Sequence, residues 1–428
     1  MHFFQKQFSK KKFEDELVRY KKQEHQSSIF DTYMGFTIIK PITRNISCGF
    51  EEIDGIASHK LAEKLIGRTI VKTYDEQVKS SSEKRRFLTI SNDINIFGVK
   101  LSIQSLPFQT QDIAVGACAS TSLWITLQAL KGFFDLNSLS LYEITKRSNE
   151  YVEEYRNFPS NGLTFRQVLT FLKSVGLDYD IINLDALTNN THDQYSDSTD
   201  LKNLILTTVK AFLKYANIPI IVFYKDFGPE DEFNDYIINL KTEEANKLKT
   251  EEELSKKNDN YGLHTAVISG YKYDKNENVT ELYVHDDSLG PYCRIEVEEP
   301  FTFWKLKSKS STLVLKPMFM VIPLYSKIRL QYNIVYDSFL HQSAILPPGT
   351  NFSQKGKWNV YFTTVQKYKA DIINQSQHPE NVVEILTKPM PRFLWILRYC
   401  GNNGGPLFDR LYDGTAIEFS VFETVLYI

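Results

Sequence analysis

Apolar positions first fall into a helical rhythm at Phe13, Leu17 and Tyr20. They lie in an otherwise charged N-terminal arm and predict a short amphipathic helix. From Thr32 to about Gln104 the rhythm shortens to β-branched runs at 36–39, 68–71 and 97–101, which predict a small β-rich module. Beyond Pro107 the helical period returns. Leu123, Trp124, Leu127 and Leu130 line one face of a helix beginning near Cys118. Thr164 and Gln167 have capping-box spacing, Phe165, Val168, Leu169 and Leu172 supply a buried stripe, and Gly176 is a natural stop. Leu204, Ile205, Val209 and Phe212 predict a third helix over 201–215. The pattern then turns to strands. The continuous apolar run 218–224 reads as a buried strand. Strands at 264–271 and 281–286 follow, joined by a turn near Asp274 to Asn278.

Helices first and strands afterwards point to the α+β class. A chain of 428 residues accommodates two or three domains. We expect an N-terminal arm and β-rich module over 1–105, a central domain over 106–326, and a C-terminal β-rich accessory domain over 327–428. In the last, 358–362 and 393–397 read as strands and 401–405 as a turn. Two polar stretches interrupt the central domain: a loop at 189–200, and a charged insertion at 225–260 in which 242–257 suits an exposed helix. The most apolar late stretch, 319–324, is short and contains Pro323. No segment approaches the roughly 18 apolar residues of a membrane span, and the first residues lack a signal-peptide core. The expectation is a soluble, cytoplasmic protein.

Charge narrows the partners. Fifty basic and 52 acidic side chains leave a net charge of −2, which advertises neither a nucleic acid nor an anionic membrane. The four cysteines, Cys48, Cys118, Cys293 and Cys400, are far apart, with no CxxC pair. Neither a disulfide framework nor a zinc ribbon is expected.

The segment from Gln109 to Trp124 carries the most chemistry. Cys118 opens a predicted helix among the small residues Gly116, Ala117, Ala119 and Ser120. Small neighbours let a substrate backbone approach the sulfur, and a helix N-terminus favours the thiolate, the attacking species. Acyl transfer also needs donors for a developing oxyanion. The Cys118 backbone N–H can supply one. A glutamine amide can supply the other, with Gln111 better placed than Gln109. The thiol needs a base, and His264 stands at the start of a strand in Gly262-Leu263-His264. A base needs an orienting group, and Asp286 or Asp287 ends the following strand. His285 falls on the face opposite Asp286 and reads as structural. A metal site built from His264, His285 and the acids has no recognisable ligand spacing, and none is expected.

This constellation resembles the papain-like cysteine peptidase superfamily, and within it the leader-peptide-cleaving (double-glycine peptidase-like) domains of bacteriocin exporters. Those domains order a glutamine, a cysteine opening a helix, a strand histidine followed by Gly-Tyr, and a strand-end Asp in a turn with glycine. Here Gln111, Cys118, His264, Gly270-Tyr271, Asp286 and Gly290 match those places. The likeness covers about 108–292. It departs at Ala119, where the exporters have Gly, at Asp287, where they have Pro, and in the long insertion before His264. The resemblance implies a papain-like core and a bacterial origin. It also implies a cysteine peptidase acting on a protein or peptide, without a cofactor, through Cys118, His264 and Asp286, with Gln111 at the oxyanion. An acyltransferase or deamidase using the same triad, and a silent binding module on the same fold, are the alternatives.

Overall fold

The structure is a computed structural model that describes residues 1–22, 29–40, 66–79, 81–110, 118–150, 162–185, 198–231, 263–297, 303–307, 312–342, 356–375, 379–401 and 405–426. Its N-terminal part is a three-stranded antiparallel sheet, β1 (His2–Phe4), β2 (Tyr33–Ile39) and β3 (Ile66–Val71). The expected helix, α1 (Lys10–Lys21), lies between β1 and β2 in sequence. Its first turn is capped by the Ser9 hydroxyl accepting the Lys12 N–H. Phe13 and Leu17 pack on Ile29, Phe30 and Val99, as the helical spacing requires.

Strand β4 (Lys84–Phe87) precedes a hairpin of β5 (Ile90–Ile96) and β6 (Val99–Ser105). Of the expected strand over 97–101, Val99 to Leu101 lie in β6, but its first two residues do not. Phe97 and Gly98 form the hairpin turn, with φ of 51° and 90°, and Asn95 Oδ1 accepts the Gly98 N–H at 2.9 Å. Two successive positive φ values are the signature of a type I′ turn, and Gly at the second position relieves the strain there.

The central part opens with α2 (Cys118–Phe134), α3 (Leu141–Ser148) and α4 (Phe165–Ser174), then β7 (Leu177–Asn183) and α5 (Ser198–Leu213). The capping box of α4 is present, with Thr164 and Gln167 bonded reciprocally. Gly176 follows at φ 83°. Helix α2 is buried on nearly every side from Ala119 to Leu127, the profile of a helix inside a core rather than on it.

Six strands come next: β8 (Ile220–Pro229), β9 (Leu263–Tyr273), β10 (Val279–Asp286), β11 (Gly290–Glu296), β12 (Trp304–Lys307) and β13 (Thr312–Tyr325). All their pairings are antiparallel. Because β9 and β13 both pair with β8, and β10 pairs with both β9 and β11, the six form a closed ring of pairings. β7 adds to β13, and β4 adds to β9. A strand from before residue 106 therefore belongs to the sheet that carries His264.

The C-terminal part contains α6 (Tyr332–Gln342), β14 (Lys357–Thr364), α7 (Val365–Gln375), α8 (Pro379–Thr387), β15 (Phe393–Cys400), β16 (Pro406–Asp413) and β17 (Val421–Leu426). The strands form an antiparallel sheet in chain order. The two expected strands lie within β14 and β15. The region is less purely β than its sequence implied, because α7 and α8 cover the sheet. Tyr368 and Ile372, one turn apart on α7, pack on Leu394, Ile396 and Leu411. The main core runs without a break from α2 and the central sheet to Trp358, Phe362 and Trp395.

A buried polar link joins α5 to the same sheet. Lys210 Nζ sits 2.7 Å from Glu277 Oε2 and 2.8 Å from Asn359 Oδ1. Burial lowers the Lys210 pKa to about 8 against the pull of Glu277. The mixed α+β class expected from the order of elements holds. No helix among the described residues is long and apolar enough to cross a membrane. The expected helix over 242–257, the loop at 189–197 and the turn residues 402–404 lie outside the described residues.

Candidate active site

Three strands and one helix converge at one end of the central sheet. Cys118 is the first residue of α2, and His264 is the second of β9. The β8–β9 register sets Tyr224 opposite His264, and the β9–β10 register sets Asp286 opposite Ala266. Directly opposed residues share a face, as do residues two apart on one strand, so Tyr224, His264 and Asp286 point the same way. One turn into α2, Ser122 Oγ donates to Thr265 Oγ1 at 3.1 Å, tying the helix to the residue beside His264.

The imidazole joins these groups. His264 Nε2 lies 3.3 Å from Asp286 Oδ2 and 3.0 Å from Asp287 Oδ1, and the Cys118 thiol is close enough to the same ring to help raise its pKa. The His264 side chain is 21% exposed, whereas the two carboxylates are 2% and 1% exposed. Cys118 is half-buried. The triad predicted from sequence is thus brought together, with both candidate acids present at the ring.

The two acids differ in their support. Asp286 Oδ1 accepts the N–H groups of Ser288 at 2.9 Å and Leu289 at 3.0 Å, and Oδ2 accepts the Tyr224 hydroxyl. Gly290, at φ 131°, completes that turn. Asp287 has two buried oxygens, and neither accepts a well-directed hydrogen bond. Their charge states diverge accordingly. Burial works to raise the Asp286 pKa, but His264, Tyr224 and the Ser288 N–H outweigh it and hold the pKa below the ordinary value. Burial raises the Asp287 pKa, and its contact with His264 offsets this only in part. For His264, burial pulls the pKa down, but the Asp286 charge, with the ring N–H facing both carboxylates and the Cys118 thiol close by, holds it well above the ordinary value. The Tyr224 hydroxyl is kept protonated by burial and by the neighbouring Asp286 charge.

The oxyanion candidates are divided. Gln111 lies outside the described residues, as do 112–117. Gln109 is described, and its amide donates to the Thr110 carbonyl at 3.3 Å. The strand leading there is anchored to β3: Phe108 and Thr69 exchange both backbone hydrogen bonds, and the Thr110 hydroxyl bonds the Ile66 carbonyl. The Cys118 N–H belongs to the first turn of α2, where backbone donors have no partner within the helix.

His285 is fully buried on the other face. Its Nε2 is 3.1 Å from the Leu106 carbonyl, which can only accept, so Nε2 carries the proton. Its unprotonated Nδ1 faces the Tyr292 N–H at 3.4 Å and the Ser269 hydroxyl at 3.1 Å, whose proton is shared with the Tyr283 carbonyl at 3.2 Å. Burial lowers its pKa to about 4, so the ring is a neutral structural hub, as expected from strand alternation. Cys293 Sγ donates to the Gly290 carbonyl at 3.4 Å, burial raises the Cys400 pKa, and Cys48 lies outside the described residues.

Tyr224 is the site residue that sequence reasoning missed. Its only signal is that it closes the apolar run 218–224. One further property of the acids is geometric: His264, Asp286 and Asp287 each present a donor atom within 4.8 Å of the others, so together they could hold a cation. The family models and curated proteins compared with the chain give no match.

Proposed function

We propose that the chain is a cysteine peptidase, a thiol hydrolase that cleaves peptide or isopeptide bonds through an acyl-enzyme on Cys118, on a papain-like core. One observation carries this reading. A thiol at a helix start shares an imidazole with a buried, hydrogen-bonded carboxylate. The core reading draws further support from α2, which carries the thiol and lies against the antiparallel sheet that carries the base.

His264 takes the thiol proton, and the raised imidazole pKa favours the resulting imidazolium–thiolate pair. With Nε2 facing the acids, Nδ1 is the nitrogen that exchanges the proton. Asp286 is the orienting acid, because three donors fix its oxygens. The thiolate attacks the carbonyl carbon, and the C–S bond forms. The oxyanion is met by the Cys118 N–H and by Gln111. The imidazolium then protonates the departing nitrogen as the C–N bond breaks. Water, deprotonated by His264, attacks the thioester and releases a carboxylic acid with return of the thiol.

The test is the rate of Cys118 alkylation by iodoacetamide against pH, read by peptide mass spectrometry, in the native protein and in His264→Ala. Reaction persisting well below an ordinary thiol's pKa of about 8.5, and lost in His264→Ala, is the expected result. A titration near 8.5 that the substitution does not move would refute the reading.

A further inference from the structure

A thiol hydrolase needs one carboxylate on its base, and this ring faces two. The second is unusual. Asp287 is buried; the only donor near Oδ1 is the ring itself, at 3.0 Å and poorly directed, and Oδ2 has no partner among the described residues. It sits beside a second buried carboxylate, so one ring nitrogen and two carboxylate oxygens converge on one pocket.

The geometry points to a divalent transition-metal site formed by His264 Nε2, Asp286 Oδ2 and Asp287 Oδ1, which takes Zn²⁺ and when filled holds the thiol machinery off. Two atoms each bound to zinc at about 2.0–2.1 Å in tetrahedral geometry lie roughly 3.3 Å apart. The two Nε2–oxygen separations here are 3.0 and 3.3 Å. Three protein ligands with one open position is a recurrent zinc arrangement. The outer contacts also fit, because ligands are oriented by hydrogen bonds from behind. Tyr224 bonds Asp286 Oδ2, and the Ser288 and Leu289 N–H groups fix Oδ1. One imidazole and two carboxylates suit Zn²⁺ better than Mg²⁺ or Ca²⁺, which favour oxygen alone. His285, on the other face, takes no part.

Binding exchanges a proton for the ion. The Nε2 proton leaves to solvent, the metal–nitrogen bond forms, and the ring's remaining proton stays on Nδ1. The imidazole then has no lone pair for the thiol proton. This blocking step rests on the thiol-hydrolase reading, whereas the binding site does not.

Metal binding is therefore measured without reference to activity. The full-length protein and its Cys118→Ala, Asp287→Asn and Tyr224→Phe variants are equilibrated with Zn²⁺, with Mg²⁺ as control, and bound metal is counted by mass spectrometry. Co²⁺ serves as the spectroscopic probe of ligand type. One Zn²⁺ per chain is expected in the native protein and in Cys118→Ala, without a thiolate-to-cobalt charge-transfer band. Affinity should fall about 10–100-fold in Tyr224→Phe, as for loss of an outer partner, and further in Asp287→Asn. Failure of the native protein to bind Zn²⁺ overturns the site. So does retention of full affinity in Asp287→Asn, or loss of binding in Cys118→Ala with a thiolate band in the native protein. Should Asp287→Asn misfold, Tyr224→Phe carries the same decision. Zn²⁺ that binds as expected but leaves Cys118 alkylation unchanged overturns the blocking step alone.

Discussion

Replacing Asp286 by Asn removes the charge that faces the His264 imidazole while keeping the side chain's shape. The introduced amide would still accept the Ser288 and Leu289 N–H groups through its oxygen. Its nitrogen would then point N–H groups at the His264 ring, where a carboxylate accepted. At 3.3 Å and an effective dielectric of about 20, the lost carboxylate–imidazolium attraction is about 5 kcal/mol. Desolvation of both groups cancels part of this, leaving about 2–4 kcal/mol. Since about 1.4 kcal/mol is a factor of ten, the Cys118 thiolate population at about pH 6 should fall roughly 30- to 1000-fold. Alkylation of Cys118 by iodoacetamide reads that population directly. Asp287→Asn should change the same rate by less than about threefold, or under 1 kcal/mol, because Asp287 is the acid that burial pushes toward its neutral form. Equal losses in the two variants would refute the assignment and make the acids a single unit.

Two further substitutions probe the frame around the site. His285 is held neutral, so its folded pKa of about 4 lies below the unfolded value of about 6.5. The folded state binds fewer protons between those values; stability is full above about 6.5 and falls as the pH drops toward 4, by about 3 kcal/mol. Urea unfolding across that range should show the loss in the native protein and a flatter profile in His285→Gln. Gly270 is the glycine of the His264…Gly270-Tyr271 motif, and a Cβ there would meet the Arg86 carbonyl and the Phe87 ring, each at 2.6 Å. Gly270→Ala should cost about 1–3 kcal/mol by overpacking. It should also raise hydrogen exchange at Leu88, whose N–H bonds the Ser269 carbonyl.

The sequence made the central elements legible where local chemistry decided them. The α4 capping box and the Gly176 stop are contacts within a few residues, and each is present. The run 97–101 misled because β-branched neighbours hid a turn whose signal was one glycine after Phe97. Helices α7 and α8 stayed hidden for a different reason. Their buried faces, Tyr368 and Ile372 among them, pack on Leu394, Ile396 and Leu411, which come from strands later in the chain. Addition of β4 to β9 is likewise a pairing across almost the whole central region, and no local pattern records it.

The candidate site was legible as a list of residues but not as an arrangement, and the obstacle is a single residue in β9. Tyr283 pairs with Gly270, yet Val284 pairs with Ile268, so Ser269 is an inserted residue; the ladder's other irregularity, between Val279 and Glu281, lies at its far end. Continued without that bulge, the pairing would set Asp286 opposite Val267, on the face away from His264. With it, Asp286 falls opposite Ala266 and on His264's face. The bulge is secured from both sides. Leu88 donates to the Ser269 carbonyl at 2.8 Å, and the Ser269 hydroxyl bonds His285 Nδ1. His285 itself is locked to Leu106, 12 residues before Cys118 in the chain. The histidine that strand alternation sets aside as structural thus supports the register that brings Asp286 to His264. Its removal should cost thiol reactivity as well as stability, although it touches neither Cys118 nor His264 in any hydrogen bond of the described residues.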